Sequence, residues 1–254
     1  MKKHFLLLKS LPDSFTAAFT AFYILNVIYG MFIYKDGYNY FLSLTHRVHF
    51  IPLVNWSFWL AIVALSLSLV SHFKKNFLFI GIAFFALREI IVSLGLKPYS
   101  TNISFIVLLL ILIDRNPIKK IHIALCSVYV TSSMAKLLWS SPRWLNGETL
   151  RLYLIESQLV QSSSAVHWCL DHPQLMATIS VLTVMWELAF PLSLLYKYWT
   201  YFYFFTGILF HFGIWFLIGP NFFHFLVPTY AVMIPKMLQF SDTTTIDIST
   251  NTYD

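Results

Sequence analysis

Charge is what this sequence has least of. Only 11% of its 254 residues are Asp, Glu, Lys or Arg, less than half of the ~25% found in soluble domains. That excludes an ordinary water-soluble globule. Cysteine is scarce too. Cys126 lies in an apolar run and Cys169 in a polar segment, and a disulfide would need both at one depth. Cys126 reads as a small core residue, Cys169 as a packed residue or a free thiol facing an oxidising compartment. No nucleophile elbow, Walker loop or paired zinc motif is present, and no internal repeat suggests a transporter of inverted halves. The apolar stretch after Met1-Lys2-Lys3-His4 is too short for a cleavable leader, so the first span is expected to act as an uncleaved insertion signal.

What fills the space is hydrophobic. Apolar residues make up 58% of the chain, 25 of them Phe, and the mean hydropathy is +0.69. Eight apolar segments stand out, at 15–34, 54–72, 76–95, 99–113, 118–138, 174–195, 199–218 and 221–239. Most approach the ~20 residues that cross a ~30 Å hydrocarbon core. Runs of that length satisfy their own backbone only as helices, so the expected fold is an all-α polytopic transmembrane bundle. Segment 99–113 is the short one, rising only about 22 Å; it either distorts the local bilayer or fails to span.

Basic residues help to decide. The net charge is +6, but the cations fall in short loops, where they report orientation rather than nucleic-acid binding. With eight spans and a cytoplasmic N-terminus, ten cations (Lys2, Lys3, Lys9, Lys74, Lys75, Arg115, Lys119, Lys120, Lys197, Lys236) lie inside. Five (Lys35, Arg47, Lys97, Arg143, Arg151) lie outside. If segment 99–113 does not cross, the count becomes seven against eight. The positive-inside rule favours eight spans with both termini cytoplasmic. Trp56, Trp139, Trp144, Tyr198 and Trp199 suit interfacial belts. The expected organisation is one membrane domain over 1–240 and a disordered cytoplasmic tail over 241–254. An outer loop, 139–173, would carry a helix from Gly147 to about Val160, N-capped by Asn146. Leu150, Tyr153 and Leu154 would form its apolar stripe, placing it on the outer leaflet or folded over the bundle; an ordinary ordered loop is the alternative.

Charged groups inside spans need a partner, a wet cavity or a snorkelling route. Arg88 and Glu89 lie in the third span and read first as structural pairs to other helices. Lys136 either snorkels to the interface or sits in a partly dry cavity as a general base. Glu187, before Pro191, is near a span centre and is either paired or handles protons. His211 and His224 read first as hydrogen-bonded packing residues. On the eight-span topology Arg88, Glu89, Lys136, His211 and His224 share the outer half, which points to a polar cavity there. In the loop, His167, Cys169, Asp171 and His172 are ligand-type residues without an established metal spacing, so no metal is expected.

Ser133-Met134-Ala135-Lys136-Leu137, followed by Trp144-Leu145-Asn146-Gly147, resembles a signature of the HTTM domain: a small residue, Lys-Leu, then Trp-x-x-Gly. That domain is the membrane half of vitamin K-dependent γ-carboxylase and of many bacterial relatives. The resemblance runs over about 15–240, through Glu187, Pro191 and the His211 helix. It implies that Lys136 matches the lysine proposed to deprotonate a reduced quinone and that His211 matches a histidine-bearing stretch, and it makes a reduced quinone a candidate cofactor. The compact length resembles small HTTM-only maturation factors of the sporulation-delaying-protein B type, which act with a partner protein on a secreted peptide.

The expectation is therefore a protein of the bacterial cytoplasmic membrane that modifies or matures a secreted peptide from an outer cavity, with a soluble or membrane partner. Lys136 would be the base, His211 a hydrogen-bond donor or proton carrier and Glu187 a deeper member, with Trp144 at the cavity wall. The alternative is a non-catalytic scaffold, motivated by Ala135 where the carboxylase has a second lysine. A transporter is disfavoured by the lack of repeats. The topology is testable with reporters: a fluorescent protein fused after Asp254 should fluoresce, and alkaline phosphatase inserted in 139–147 should be active. The opposite pattern would invert the orientation.

Overall fold

The computed structural model of the chain describes residues 13–33, 51–93, 101–114, 117–139, 142–160, 164–218 and 227–238, nearly all of them helical and with no strand among them. The helices are α1 (Asp13–Ile33), α2 (Ile51–Val70), α3 (Lys74–Ser93), α4 (Thr101–Ile113), α5 (Pro117–Trp139), α6 (Glu148–Val160), α7 (Ser164–Leu170), α8 (Pro173–Ala189), α9 (Leu192–Leu195) and α10 (Lys197–Ile218). A 3₁₀ segment, Val227–Met233, follows. Among the described residues five stretches are long and apolar enough to cross a membrane: Ser14–Phe32, Ile51–Val70, Pro117–Leu138, Pro173–Leu195 and Tyr198–Leu217. The chain is thus an all-helical integral membrane protein. Of the other three apolar segments, α3 carries Lys74, Lys75, Arg88 and Glu89, α4 has only 13 residues, and 221–239 is described only from Val227. The 241–254 tail and His224 lie outside the described residues, as does the Glu89 side chain.

The chain divides into two compact units, Met1–Ile121 with His224–Val232, and His122–Phe223 with Met233–Asp254. In the first, α2 and α3 form a tight helical hairpin. The Ser71 amide ends α2 on the Leu67 carbonyl at 2.9 Å, and the Phe73 carbonyl accepts from Asn76 and Phe77 to start α3. Near the middle of the hairpin Gly81 lets the helices touch: a Cβ there would meet the Leu65 side chain at 2.8 Å. α1 adds a buried face of Tyr23, Val27 and Met31, and the Tyr23 hydroxyl reaches Ser104 Oγ on α4. Arg88 is fully buried, its guanidinium carbon 5.6 Å from the centre of the Phe58 ring.

In the second unit the apolar run 174–195 is not one helix. Pro191 has no N–H to donate and its ring crowds the preceding turn, so α8 stops at Ala189. The Phe190 amide bonds the Glu187 carbonyl in a tightened turn, α9 adds a single turn, and Tyr196 is extended (φ −123°, ψ 140°) before α10 begins. The loop after α5 holds the expected helix, starting one residue late. Gly147 sits at φ +81°, outside helical space, and the Asn146 side-chain oxygen accepts from the Glu148 amide at 3.0 Å. Leu154 is buried, with Leu150 packed beside it, on a small core of Val166, Cys169 and Met176 that joins α6 to α7 and α8. Ser157 Oγ bonds the Leu217 carbonyl at the end of α10. The loop helix therefore folds onto helix ends.

Gly81→Val should destabilise the α2–α3 hairpin by about 1–3 kcal/mol, the usual cost of overpacking, read as a lower thermal midpoint in detergent. Leu65→Ala in the same chain should restore part of it. An unchanged midpoint in the single variant would mean that the hairpin does not depend on this approach.

Candidate functional site

The site in the second unit grows from the periodicity of α5. Tyr129, Ser132, Ser133 and Lys136 recur at three and four residues, so they share one helix face. Ser133 Oγ donates to the Val184 carbonyl at 2.8 Å, docking α5 on α8. On α8 the buried positions are Met176, Ser180, Val184 and Glu187, again one face. Lys136 Nζ donates to both carboxylate oxygens of Glu187 and to Ser132 Oγ at 2.9 Å, while Ser132 Oγ lies 3.5 Å from Glu187 Oε1. The lysine side chain is 16% exposed and the carboxylate 6%, so this is a largely desolvated ion pair. Lys136 is anchored inward and does not snorkel.

Trp144 closes one side, its ring centre 5.0 Å from Lys136 Nζ, a cation–π contact. The Trp-x-x-Gly spacing has a steric reason. A Cβ on Gly147 would fall 2.5 Å from the Ala177 amide nitrogen, so only glycine lets this turn seat on the first turns of α8 with Trp144 over Lys136. Trp144 Nε1 and Ser180 Oγ are buried with no hydrogen-bond partner among the described residues. A cleft of about 300 Å³ is lined by Asn146, Gly147, Glu148, Arg151, Pro173 and Met176.

Deeper in, His211 on α10 is buried. Its Nδ1 faces the Gly207 carbonyl at 2.8 Å, and a carbonyl only accepts, so Nδ1 carries the proton. In the neutral ring Nε2 is then the acceptor for the Tyr129 hydroxyl at 3.3 Å. Trp186 packs edge-on against Tyr129 at 5.1 Å and its Nε1 donates to Thr206 Oγ1 at 3.0 Å.

The structure thus joins Lys136, Glu187 and Trp144 directly, and His211 meets Tyr129, which shares the face of α5 with Lys136. Arg88 belongs to the first unit. The loop residues form no common centre. His167 and Asp171 are exposed, while Cys169 is buried and burial pushes its thiol pKa up. His172 bonds the Trp168 carbonyl at 2.7 Å. Among the described residues no three His, Cys, Asp or Glu side chains converge on a metal position.

Tyr129, Ser132 and Ser133 were not singled out as site residues from the sequence, although their recurrence with Lys136 was readable in segment 118–138. A second polar cluster was also missed. His122 Nε2 lies 2.9 Å from Ser193 Oγ, and Lys236 Nζ donates to the Ser193 carbonyl at 2.7 Å. Compared with family models, curated proteins and solved structures, the chain matches none.

Removing one partner of a buried pair strands the other charge, typically costing about 3–5 kcal/mol. Lys136→Met should lower the thermal midpoint in detergent accordingly, and Lys136→Met with Glu187→Leu should recover most of it. Equal losses in the single and double variants would show that stranded charge is not the cause.

Proposed function

We propose that this chain is a small HTTM-type protein with eight spans and cytoplasmic termini in a bacterial cytoplasmic membrane, maturing a secreted peptide from the outer half of the bilayer. The observation that carries the reading is the Lys136–Glu187 pair under Trp144. A lysine acts as a base only after giving up a proton, and a carboxylate in contact is the acceptor. Transfer from Nζ to Glu187 leaves a neutral amine beside a neutral acid, a state that a low-dielectric site tolerates better than water does. The amine then takes a proton from the substrate. Ser132 holds Nζ in line, and Tyr129 and His211 form the next hydrogen-bonded pair inward. The unpaired Trp144 Nε1–H is free to donate to a substrate oxygen.

Support for this reading comes from the match of Lys136 and Trp-x-x-Gly to the HTTM signature and from the steric role of Gly147 in that match. Lys136 and Trp144 would also hold the reduced quinone that the resemblance implies, an ammonium and a flat indole suiting an aromatic hydroxyl. When bound, that group would supply the electrons for an oxygen-dependent modification.

A second reading has its own observation. Both Glu187 oxygens are taken by Lys136, so the pair is complete as a tie between α5 and α8, as a scaffold for a peptide or partner protein would need. Mass spectrometry of secreted peptides from the native host separates the two. Deletion and Lys136→Ala should lose or shift the same peptide. A peptide altered by deletion and restored in full by Lys136→Ala would leave the scaffold.

A further inference from the structure

We propose that α5 carries a proton path through the second unit, from Lys236 and His122 at one end to the Lys136–Glu187 pair at the other. The buried face of α5 carries a polar stripe beside the aliphatic side chains of Ile118, Ile121 and Leu125. His122, Cys126, Tyr129, Ser133 and Lys136 follow one another at intervals of four, three, four and three, the spacing of a single stripe. The first four are buried, in a helix apolar enough to span the bilayer. From His122 to Lys136 the rise is about 21 Å, roughly two-thirds of a ~30 Å hydrocarbon core. A span needs no such stripe for stability, because apolar packing does the same work without desolvating polar groups.

Four of the five stripe residues have a partner able to pass a proton; Ser133 donates to the Val184 carbonyl and only docks the helix. At the far end the break after α9 leaves the Ser193 carbonyl outside the helical ladder, where Thr200 Oγ1, at 2.8 Å, and Lys236 Nζ both donate to it. The Ser193 hydroxyl lies between His122 Nε2 and Cys126 Sγ, at 2.9 and 3.9 Å. One turn along, the Tyr129 hydroxyl meets His211; after the next turn come Ser132, Glu187 and Lys136. Three links lack direct contact between proton-carrying atoms: Lys236 meets Ser193 only at its carbonyl, and the other two are single helical turns, about 5–6 Å between Cβ atoms, each short enough for one rotamer change or one water to bridge. Among the described residues a further titratable group beside the stripe is Tyr203 on α10, packed on Trp186 and Phe190, the two rings that also touch Tyr129.

Each hop moves a proton alone. At the end of the path Glu187 takes it and becomes neutral, so the pair goes from net zero to one positive charge and Lys136 is released from its carboxylate. Run the other way, the path drains to the far face a proton that Lys136 has taken from a substrate. That use rests on the base role proposed above; the conduction does not.

The test is proton flux into liposomes holding the full-length protein and an internal pH dye, driven by a valinomycin-clamped potassium gradient. Wild type should exceed protein-free liposomes. Tyr129→Phe and His122→Leu should each cut the excess about five-fold or more, as losing one hydrogen bond from a limiting hop implies. Thr131→Val, on the exposed face of α5 with its hydroxyl on its own backbone, should leave it unchanged. Wild-type flux no greater than that of empty liposomes overturns the path. So does full flux through a Tyr129→Phe protein that elutes and melts like wild type. If flux behaves as stated while Lys136→Ala leaves the peptide product intact, the path stands and the maturation reading falls. The reverse pair of results removes the path alone.

Discussion

An ammonium group in a hydrocarbon layer must have an anion or a route to water, and Lys136 has its anion 51 residues further along the chain. Much of the second unit follows from that requirement. α5 and α8 must lie side by side in one register, with Ser133 on the Val184 carbonyl. The turn after α5 must come back close enough for Trp144 to cover the pair, and that is possible only because Gly147 has no side chain. The small core of Leu154, Val166, Cys169 and Met176 then fastens the loop onto α8. Desolvating two charges is costly, and the geometry that offsets the cost also holds an amine and a carboxylate in contact under an indole ring.

The break at Pro191 works in the same way at the other end. Ending α8 early costs backbone hydrogen bonds, and the freed Ser193 carbonyl is satisfied by Thr200 and Lys236. The Ser193 hydroxyl takes up His122, so both ends of α5's buried face are tied to the chain on either side of Pro191.

Helical class, the membrane setting and five of the spans were legible from run length alone, because nothing but helix buries some twenty apolar residues in lipid. The loop helix was legible from Asn146 and the Leu150–Leu154 stripe. Its first residue was missed because the left-handed conformation of Gly147 is dictated by contact with α8, which no local pattern encodes. Lys136, Glu187 and Trp144 were found one at a time as costly or marked residues. Their mutual contact was not readable, since it depends on how α5 and α8 pack. His122, Ser193 and Lys236 escaped because each looks ordinary near a span end, and only the break after α9 gives them a common point. The interruption at Pro191 was visible as a proline, yet 174–195 still read as one helix because its hydropathy does not change there.

The polar face of α5 also bears on how the protein is made. A helix with His122, Tyr129, Ser133 and Lys136 on one side is a poor partner for lipid until its own partner arrives, and Glu187 emerges 51 residues after Lys136. At translation rates of ~5–20 residues per second, that interval is about 3–10 s. During it Lys136, in the last turn of α5, has no counter-ion and must snorkel to the interface or stay in a wet cavity. The covering loop is synthesised within the same interval, so the lid over Lys136 is available before its counter-ion is.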